Sequence, residues 1–247
     1  MSFKDHFSGH AAVYHEARPD YPRALFDFLA GEALACQLAW DAGCGNGQAS
    51  VALAEHFEAV VATDPSAEQV ANATLRSNIR YRVEPAEQSS LENSSVDLVC
   101  VAQALHWFDL ARFHDEVRRV LKPRGVVAFW TYADCCVDAE IDRQKDRLYI
   151  DLTGPYWPPE RALVETGYAS LAFPFERITT PTFDMCAQWD LARYVAYLRS
   201  WSATQRYLRT LGQDPVSLIE HDLSSAWGDP ARVRSVRWDF HLHCGRI

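Results

Sequence analysis

A short glycine-rich segment constrains the fold of this chain more than any other feature. Residues Gly43–Gly47 read Gly-Cys-Gly-Asn-Gly and directly follow the apolar run Gln37–Ala42. Glycine permits a tight turn and lets a ligand approach the backbone closely. The segment from about Gln48 to His56 has a helical pattern, and the first turn of a helix carries unpaired N–H groups. The sequence therefore predicts a strand, a ligand-binding loop and a helix in succession, as at the carboxyl end of a strand in an open α/β sheet.

The alternation of strand and helix continues to about residue 135. Further predicted strands occur at Ala59–Asp64, Ile79–Val83, Val96–Val101 and Gly125–Tyr132, with helical segments or turns between them. Apart from Ile79–Val83, which contains two arginines, these runs are mostly apolar, which is typical of strands that are buried on both faces. We expect an α/β, Rossmann-like fold with a mostly parallel sheet and helices on both faces.

Composition narrows the functional classes. The chain has 247 residues, with 24 Lys and Arg against 33 Asp and Glu, so its net charge is −9. An acidic protein repels nucleic acid on average, and no apolar run approaches the roughly 20 residues of a membrane span. Seven cysteines without a zinc-like spacing favour the reducing cytoplasm. The alternating His241 and His243 lack a third ligand, so we predict no metal site.

Two motifs carry a resemblance to a known family. Asp41 precedes the first glycine of the Gly-x-Gly-x-Gly run, which resembles motif I of the class I S-adenosylmethionine (SAM)-dependent methyltransferases. The run 102–109, Ala-Gln-Ala-Leu-His-Trp-Phe-Asp, is similar to a type 11 subgroup related to trans-aconitate methyltransferase. Phe7, Tyr14 and the run 18–22 match the N-terminal region of that subgroup. The resemblance covers roughly residues 3–135 and implies SAM as cofactor and a seven-stranded sheet.

The resemblance also implies a set of cofactor-binding residues. Asp64 ends the second predicted strand, where a carboxylate accepts both ribose hydroxyls; capping the next helix is the structural alternative. Glu87 lies in the loop that, by the resemblance, contacts the adenine. A solvated acid that contacts no ligand is the structural alternative. The full predicted set is Asp41, Gly43, Cys44, Gly45, Asp64, Pro65, Ala86, Glu87, Gln103, Trp107 and Tyr21.

The acceptor site is predicted from the chemistry of methyl transfer. A carboxylate acceptor needs a cation to hold it, and Arg18 is the candidate because a guanidinium matches a carboxylate. A hydroxyl or amine acceptor favours a base, and His106 is the candidate. Aromatic faces near the sulfonium stabilise its charge, with Tyr14, Tyr21 and Trp107 as candidates. Arg18 paired with a nearby acid, and His106 capping a helix, are the structural alternatives.

We therefore predict a SAM-dependent methyltransferase that acts on a small-molecule acceptor, at a carboxylate or hydroxyl oxygen, as a monomer or homodimer. Residues 1–35 form an N-terminal helical segment that serves as a substrate lid, and 36–135 form the SAM-binding core. Residues 136–247 form a helical cover, with a long helical region at Gln188–Leu211 and late strands that complete the sheet. An NAD-dependent oxidoreductase is an alternative, although the third glycine comes one residue early for a dinucleotide loop. A non-catalytic SAM-binding protein is another.

Overall fold

The computed structural model of the chain describes residues 18–247. Phe7 and Tyr14 lie outside the described residues. The helices are α1 (Arg23–Glu32), α2 (Gln48–Leu53), α3 (Ala67–Ala71), α4 (Leu110–Val120), α5 (Ala139–Asp146), α6 (Arg161–Glu165), α7 (Leu191–Arg199), α8 (Ser202–Leu211) and α9 (Glu220–Trp227). The strands are β1 (Leu38–Ala42), β2 (Ala59–Asp64), β3 (Ile79–Val83), β4 (Val96–Ala102), β5 (Leu121–Cys136), β6 (Glu176–Arg177), β7 (Met185–Trp189) and β8 (Arg234–Arg246). Short 3-10 and π turns lie at Leu105–Trp107, Arg147–Leu152, Gly154–Tyr156 and Pro215–Leu218.

The strands form one mixed sheet in the order β3-β2-β1-β4-β5-β8-β6, with β7 also paired to β8. Strands β1 to β5 are parallel to one another, whereas β8 is antiparallel to β5, β6 and β7. The predicted seven-stranded, mostly parallel sheet is therefore confirmed, and β8 is the late strand that inserts beside β5. The order places the carboxyl ends of β1 and β4 side by side.

Both faces of the sheet are buried, as the continuous apolar runs predict. In β4, Leu98 and Cys100 face one layer, which includes α1 and α2, while Val99 and Val101 face the other, which includes α4. All four side chains are fully buried. Burial on both faces holds the strands rigidly, so the loops at their carboxyl ends have a fixed platform.

A third apolar cluster forms the core of the C-terminal cover. It joins the far end of β5 to α5, α7, α9 and the strands β7 and β8, with Tyr194, Trp227 and Trp238 among its buried members. The predicted single helical region Gln188–Leu211 is wrong in detail. It begins in β7, whose residues pair with β8, and then divides into two helices. Asp190 accepts a hydrogen bond from the Arg193 N–H and so starts α7 after the strand.

Smaller differences have local causes. Helix α2 ends at Leu53 rather than His56. Strand β5 begins at Leu121, before the predicted Gly125, and its first residues are irregular: Leu121 pairs with Val96, and Val126 already pairs with Leu98. The four intervening residues therefore leave the β4 register. Within residues 18–247, no helix is both long and apolar enough to cross a membrane.

Candidate active site

The glycine loop lies between β1 and α2 and depends on three left-handed glycines. Gly43, Gly45 and Gly47 have φ values of 71°, 55° and 88°. A Cβ at Gly43 would lie 2.7 Å from Ala104 Cβ and 2.9 Å from the Phe108 ring. The loop after β1 therefore packs directly on the segment after β4, and only glycine permits this approach.

Asp41 lies beneath this loop and is fully buried. Its carboxylate accepts hydrogen bonds from Ser50 Oγ at 2.5 Å and from Cys100 Sγ at 3.7 Å, so it joins β1 to α2 and β4. Burial raises the pKa of Asp41 to about 6, and the nearby charge of Asp64 adds to the effect. The structure thus places this predicted cofactor residue under the loop, where it holds the backbone in position.

Asp64 lies at the end of β2 and holds the loop from the other side. Its Oδ2 accepts from the Gly45 N–H at 2.9 Å, and its Oδ1 accepts from the Ser66 N–H at 2.8 Å. Ser66, not Asp64, caps α3, because its hydroxyl accepts from the Gln69 N–H. An ionised carboxylate only accepts hydrogen bonds, so this half-buried group is chemically suited to hydroxyl donors.

The third predicted loop meets the others at the same edge. Ala86 is buried, and Glu87 Oε1 accepts a hydrogen bond from the Asp109 N–H at 2.8 Å. Glu87 therefore joins its loop to the start of α4. Pro65 is half-buried beside Asp64, and Cys44 is buried within the glycine loop, with its Sγ 3.4 Å from the Gly45 carbonyl oxygen.

The side chain of Gln103 is held firmly at the end of β4. Gln103 has a φ of 56°, its N–H donates to the Trp130 carbonyl at 3.0 Å, and its Nε2 donates to the Tyr132 carbonyl at 2.8 Å. Its Oε1 accepts from the Thr131 hydroxyl. This geometry fixes the turn that leads into His106 and Trp107.

His106 is neutral in this environment. Its Nδ1 lies 2.8 Å from the Tyr168 hydroxyl, and its ring packs on Trp107 with centroids 4.6 Å apart. Burial lowers the pKa of His106 to about 3, and the positive charge of Arg161 lowers it further. Tyr168 itself is buried and has a φ of 61°. No pattern in the sequence predicts this partner.

The segment that contains Arg18 crosses the start of α2. Gln48 Nε2 donates to the Pro19 carbonyl at 2.7 Å, and the Arg18 guanidinium carbon lies 6.0 Å from the centre of the Tyr197 ring. Arg18 therefore bridges the glycine-loop region and α7 of the cover. Tyr21 packs edge-on against Trp130, with centroids 5.6 Å apart, and is not among the described residues that line the cavity below.

A cavity opens beside these residues, between the sheet and the cover. Arg18, Gln103, His106 and Trp107 line it. Among the lining residues that the sequence did not predict are Trp157, Arg161, Tyr197 and Trp201. None of the described lining residues is Asp or Glu. With His106 neutral, the two arginines are the charged groups of this lining, so the cavity favours an anion.

No group of three or more His, Cys, Asp or Glu side chains in residues 18–247 is arranged to hold a metal ion. His243, one of the alternating histidines, has its Nε2 2.7 Å from the Gly167 carbonyl oxygen.

Comparison with known proteins identifies the family. Residues 40–129 match the model of a methyltransferase domain, type 11. A Dictyostelium discoideum protein, provisionally assigned as a methyltransferase, is 32% identical over 230 residues, which are 91% of this chain and 87% of that protein. The chain belongs to the SAM-dependent methyltransferases with a type 11 domain.

Two further similarities agree with this assignment. A solved structure from Anaeromyxobacter dehalogenans, provisionally described as a type II methyltransferase, shares 45% identity and a TM-score of 0.86. The match covers 93% of this chain and 97% of that one. A Saccharomyces cerevisiae protein, provisionally described as a SAM-dependent methyltransferase, is 34% identical over 49% of this chain and 45% of its own length. The chain is thus a methyltransferase of class EC 2.1.1.- with SAM as its cofactor, and the oxidoreductase alternative is set aside.

The residues present fit this cofactor. The left-handed turn at Gly45 leaves open space around its Cα, since the nearest atom to a Cβ built there is Gln69 Oε1 at 3.9 Å. The carboxylate of Asp64 lies directly beside this space and suits the hydroxyl donors of a ribose. Three loops, after β1, β3 and β4, therefore meet at one edge of the sheet beside this space.

Proposed function

We propose that this methyltransferase transfers the methyl group of SAM to an oxygen of a small carboxylic acid that binds in the cavity. The observation that carries the proposal is the charge of the cavity, which has Arg18 and Arg161 in its lining and no acidic side chain among its described residues. The resemblance of residues 102–109 to the subgroup related to trans-aconitate methyltransferase points in the same direction, because that name specifies a carboxylate acceptor.

The chemistry of a carboxylate acceptor suits this cavity. SAM supplies, when bound, a methyl group that is activated by a positively charged sulfur. A lone pair of the carboxylate oxygen forms the new C–O bond while the C–S bond breaks and its electrons remain on sulfur. One negative and one positive charge are neutralised together, and no proton is transferred. The protein therefore needs to orient the acid and to exclude water from the site.

A hydroxyl acceptor, with His106 as general base, is the second candidate. A base is most effective when its pKa lies near the working pH, whereas burial lowers the pKa of His106 to about 3. Its Nδ1 is also engaged with the Tyr168 hydroxyl. These observations favour the carboxylate, for which His106 serves as a neutral wall of the cavity.

We assign the cofactor contacts as follows. Asp64 accepts the ribose hydroxyls, the loops at Ala86–Glu87 and Pro65 bound the adenine, and the backbone of Gly43–Gly45 faces the donor. Asp41 acts through the loop that it holds, since it is fully buried. Trp107 lines the cavity, where its ring can face the sulfonium. Tyr21 supports this edge by packing on Trp130. Because all seven cysteines are free thiols, we place the reaction in the reducing cytoplasm.

Radiolabelled SAM tests this proposal with matched acceptors. Benzoate, trans-cinnamate and hexanoate are each compared with their primary amide and alcohol, and ester formation from the acids alone is expected. Turnover of any of these acceptors also excludes a non-catalytic SAM-binding protein. Arg18→Ala should reduce turnover of the acids and leave the affinity for S-adenosylhomocysteine unchanged. The control is Arg23→Ala, because the Arg23 side chain is 80% exposed. Methylation of the alcohols instead of the acids would contradict the proposal.

A further inference from the structure

Arg161 is the first residue of α6, and its surroundings hold its guanidinium in one orientation. The side chain is only 17% exposed. Its Cζ lies 4.7 Å from the centre of the Trp157 ring and 5.4 Å from the centre of the Tyr149 ring. Two aromatic faces therefore restrict the planar group, which reduces the entropy lost when it binds a ligand.

The hydrogen bonds of Arg161 leave one edge of the guanidinium available. Its Nε donates to the Tyr149 hydroxyl at 2.8 Å and lies 3.6 Å from Glu165 Oε1. The Tyr149 hydroxyl in turn donates to Glu165. Both contacts use Nε, and the structure gives neither Nη atom a hydrogen bond to any of residues 18–247. The pair of Nη groups belongs to a residue that lines the cavity.

A largely buried guanidinium with two available Nη groups favours a ligand that can accept two parallel hydrogen bonds. Desolvation makes an incompletely paired cation costly, and Glu165 compensates only in part, because its side chain is 45% exposed and its oxygen is 3.6 Å away. Two parallel N–H groups fit the two oxygens of one carboxylate, in a bidentate pair that a lysine cannot reproduce.

The aromatic residues of the cavity lining indicate the shape and polarity of the rest of that ligand. Trp107, Trp157 and Trp201 all line the cavity. The rings of Trp157 and Trp201 lie 5.8 Å apart at an angle of 49°. Broad, rigid aromatic faces bind a flat apolar group well, because ring contacts add to the burial of apolar area.

We propose that Arg161 is the specificity-determining residue of this enzyme: it holds the carboxylate of an acceptor whose flat, conjugated body packs against the tryptophans that line the cavity. The inference rests on the proposed function, which it deepens by naming the class of acid as aryl or conjugated monocarboxylic acids. Tyr149 and Glu165 position the guanidinium of Arg161. Arg18, which precedes α1, adds a second positive charge to the cavity lining.

Calorimetric titration of the full-length protein, saturated with S-adenosylhomocysteine, tests this inference. The probes are trans-cinnamate, its neutral amide, and 3-cyclohexylpropanoate, which has the same charge but a non-planar body. Wild-type protein should bind cinnamate more tightly than either comparison compound. Arg161→Gln should weaken cinnamate by about 10- to 100-fold, the loss typical of hydrogen bonds to a charged group. It should leave binding of the amide unchanged, which a merely structural defect would not do. Arg161→Lys should restore only part of the loss.

The matched control is Arg177→Gln. Arg177 also stacks on an aromatic ring, with its Cζ 4.8 Å from the centre of Phe173, but it does not line the cavity. Equal cinnamate affinity in wild type and Arg161→Gln would overturn the inference, as would the failure of wild type to bind any of the acids. If cinnamate binds through Arg161 and no methyl ester forms from it, the anion site stands and the proposed reaction fails. If esters form without dependence on Arg161, the reaction stands and the site fails.

Discussion

Replacement of Asp64 by alanine tests the cofactor site most directly, because this one carboxylate has a structural role and also the binding role that we propose for it. Its two oxygens accept from the Gly45 and Ser66 N–H groups at 2.9 and 2.8 Å, and we propose that the same carboxylate accepts from the ribose hydroxyls. Asp64→Ala removes all of these acceptors together. Loss of a hydrogen bond to a charged group costs about 1–3 kcal/mol, so the affinity for S-adenosylhomocysteine should fall roughly 5- to 150-fold.

Calorimetric titration measures this loss, and thermal unfolding measures the structural part separately. The melting temperature should fall by about 2–4 °C for each kcal/mol of stability lost in a chain of this size. Asp64→Asn provides a second variant of nearly equal size, in which an amide NH₂ opposes one of the two backbone N–H groups. Asp115→Ala is the control, because it makes the same change in net charge at a side chain that is 84% exposed. A folded Asp64→Ala protein with wild-type affinity would refute the assignment.

Three further predictions follow from individual contacts. Gly43→Ala should lower the melting temperature and abolish cofactor binding, because its Cβ would lie 2.7 Å from a neighbouring Cβ. The control is Gly31→Ala in α1, which has open space around it and should stabilise the folded state by about 0.5–1 kcal/mol. Equal shifts in the two melting temperatures would be inconsistent with the close packing at Gly43. The pH profile of kcat should show no step near the ordinary pKa of histidine, because the pKa of His106 is lowered to about 3. A step in the wild-type profile that is absent from His106→Gln would instead support His106 as a general base. The pKa of Asp41 is raised to about 6, so the folded state holds the proton of this carboxyl group more tightly than the unfolded state does. Its contribution to stability is therefore full below the ordinary carboxyl pKa and is lost as the pH rises through 6. Urea unfolding of Asp41→Asn should lack this loss, and an identical pH dependence of stability in both proteins would argue against the prediction.

The proposed cofactor half of the site follows from the sequence because its residues lie at strand ends. The glycine loop follows β1, and Asp64 ends β2. Parallel strands bring their carboxyl ends to one edge of the sheet. The pattern of residue types was therefore sufficient to place Gly43, Asp64 and Gln103 near one another. It did not reveal that Asp41 lies under the loop, because burial of a carboxylate depends on the packing of Ser50 and Cys100 from two other elements.

The acceptor half was only partly predictable. Arg18 and His106 were candidates by residue type, but Arg161 follows a proline-rich loop with no periodic pattern of its own. Its proximity to the pocket depends on how the cover packs on β5. The division of Gln188–Leu211 into β7 and two helices has the same cause. Pairing with β8 outweighs the helical tendency of its first residues, and no local signal predicts that partner.

The sequence by itself determined the parallel sheet, the glycine loop and the family, because strand periodicity and glycine chemistry act over a few neighbouring residues. Only the tertiary structure decided the protonation of His106 and the charge of the cavity. Burial and the positive charge of Arg161, a residue distant in the chain, lower the pKa of His106. Electrostatic and desolvation effects act through space, so they become defined only when the cover closes over the carboxyl edge of the sheet.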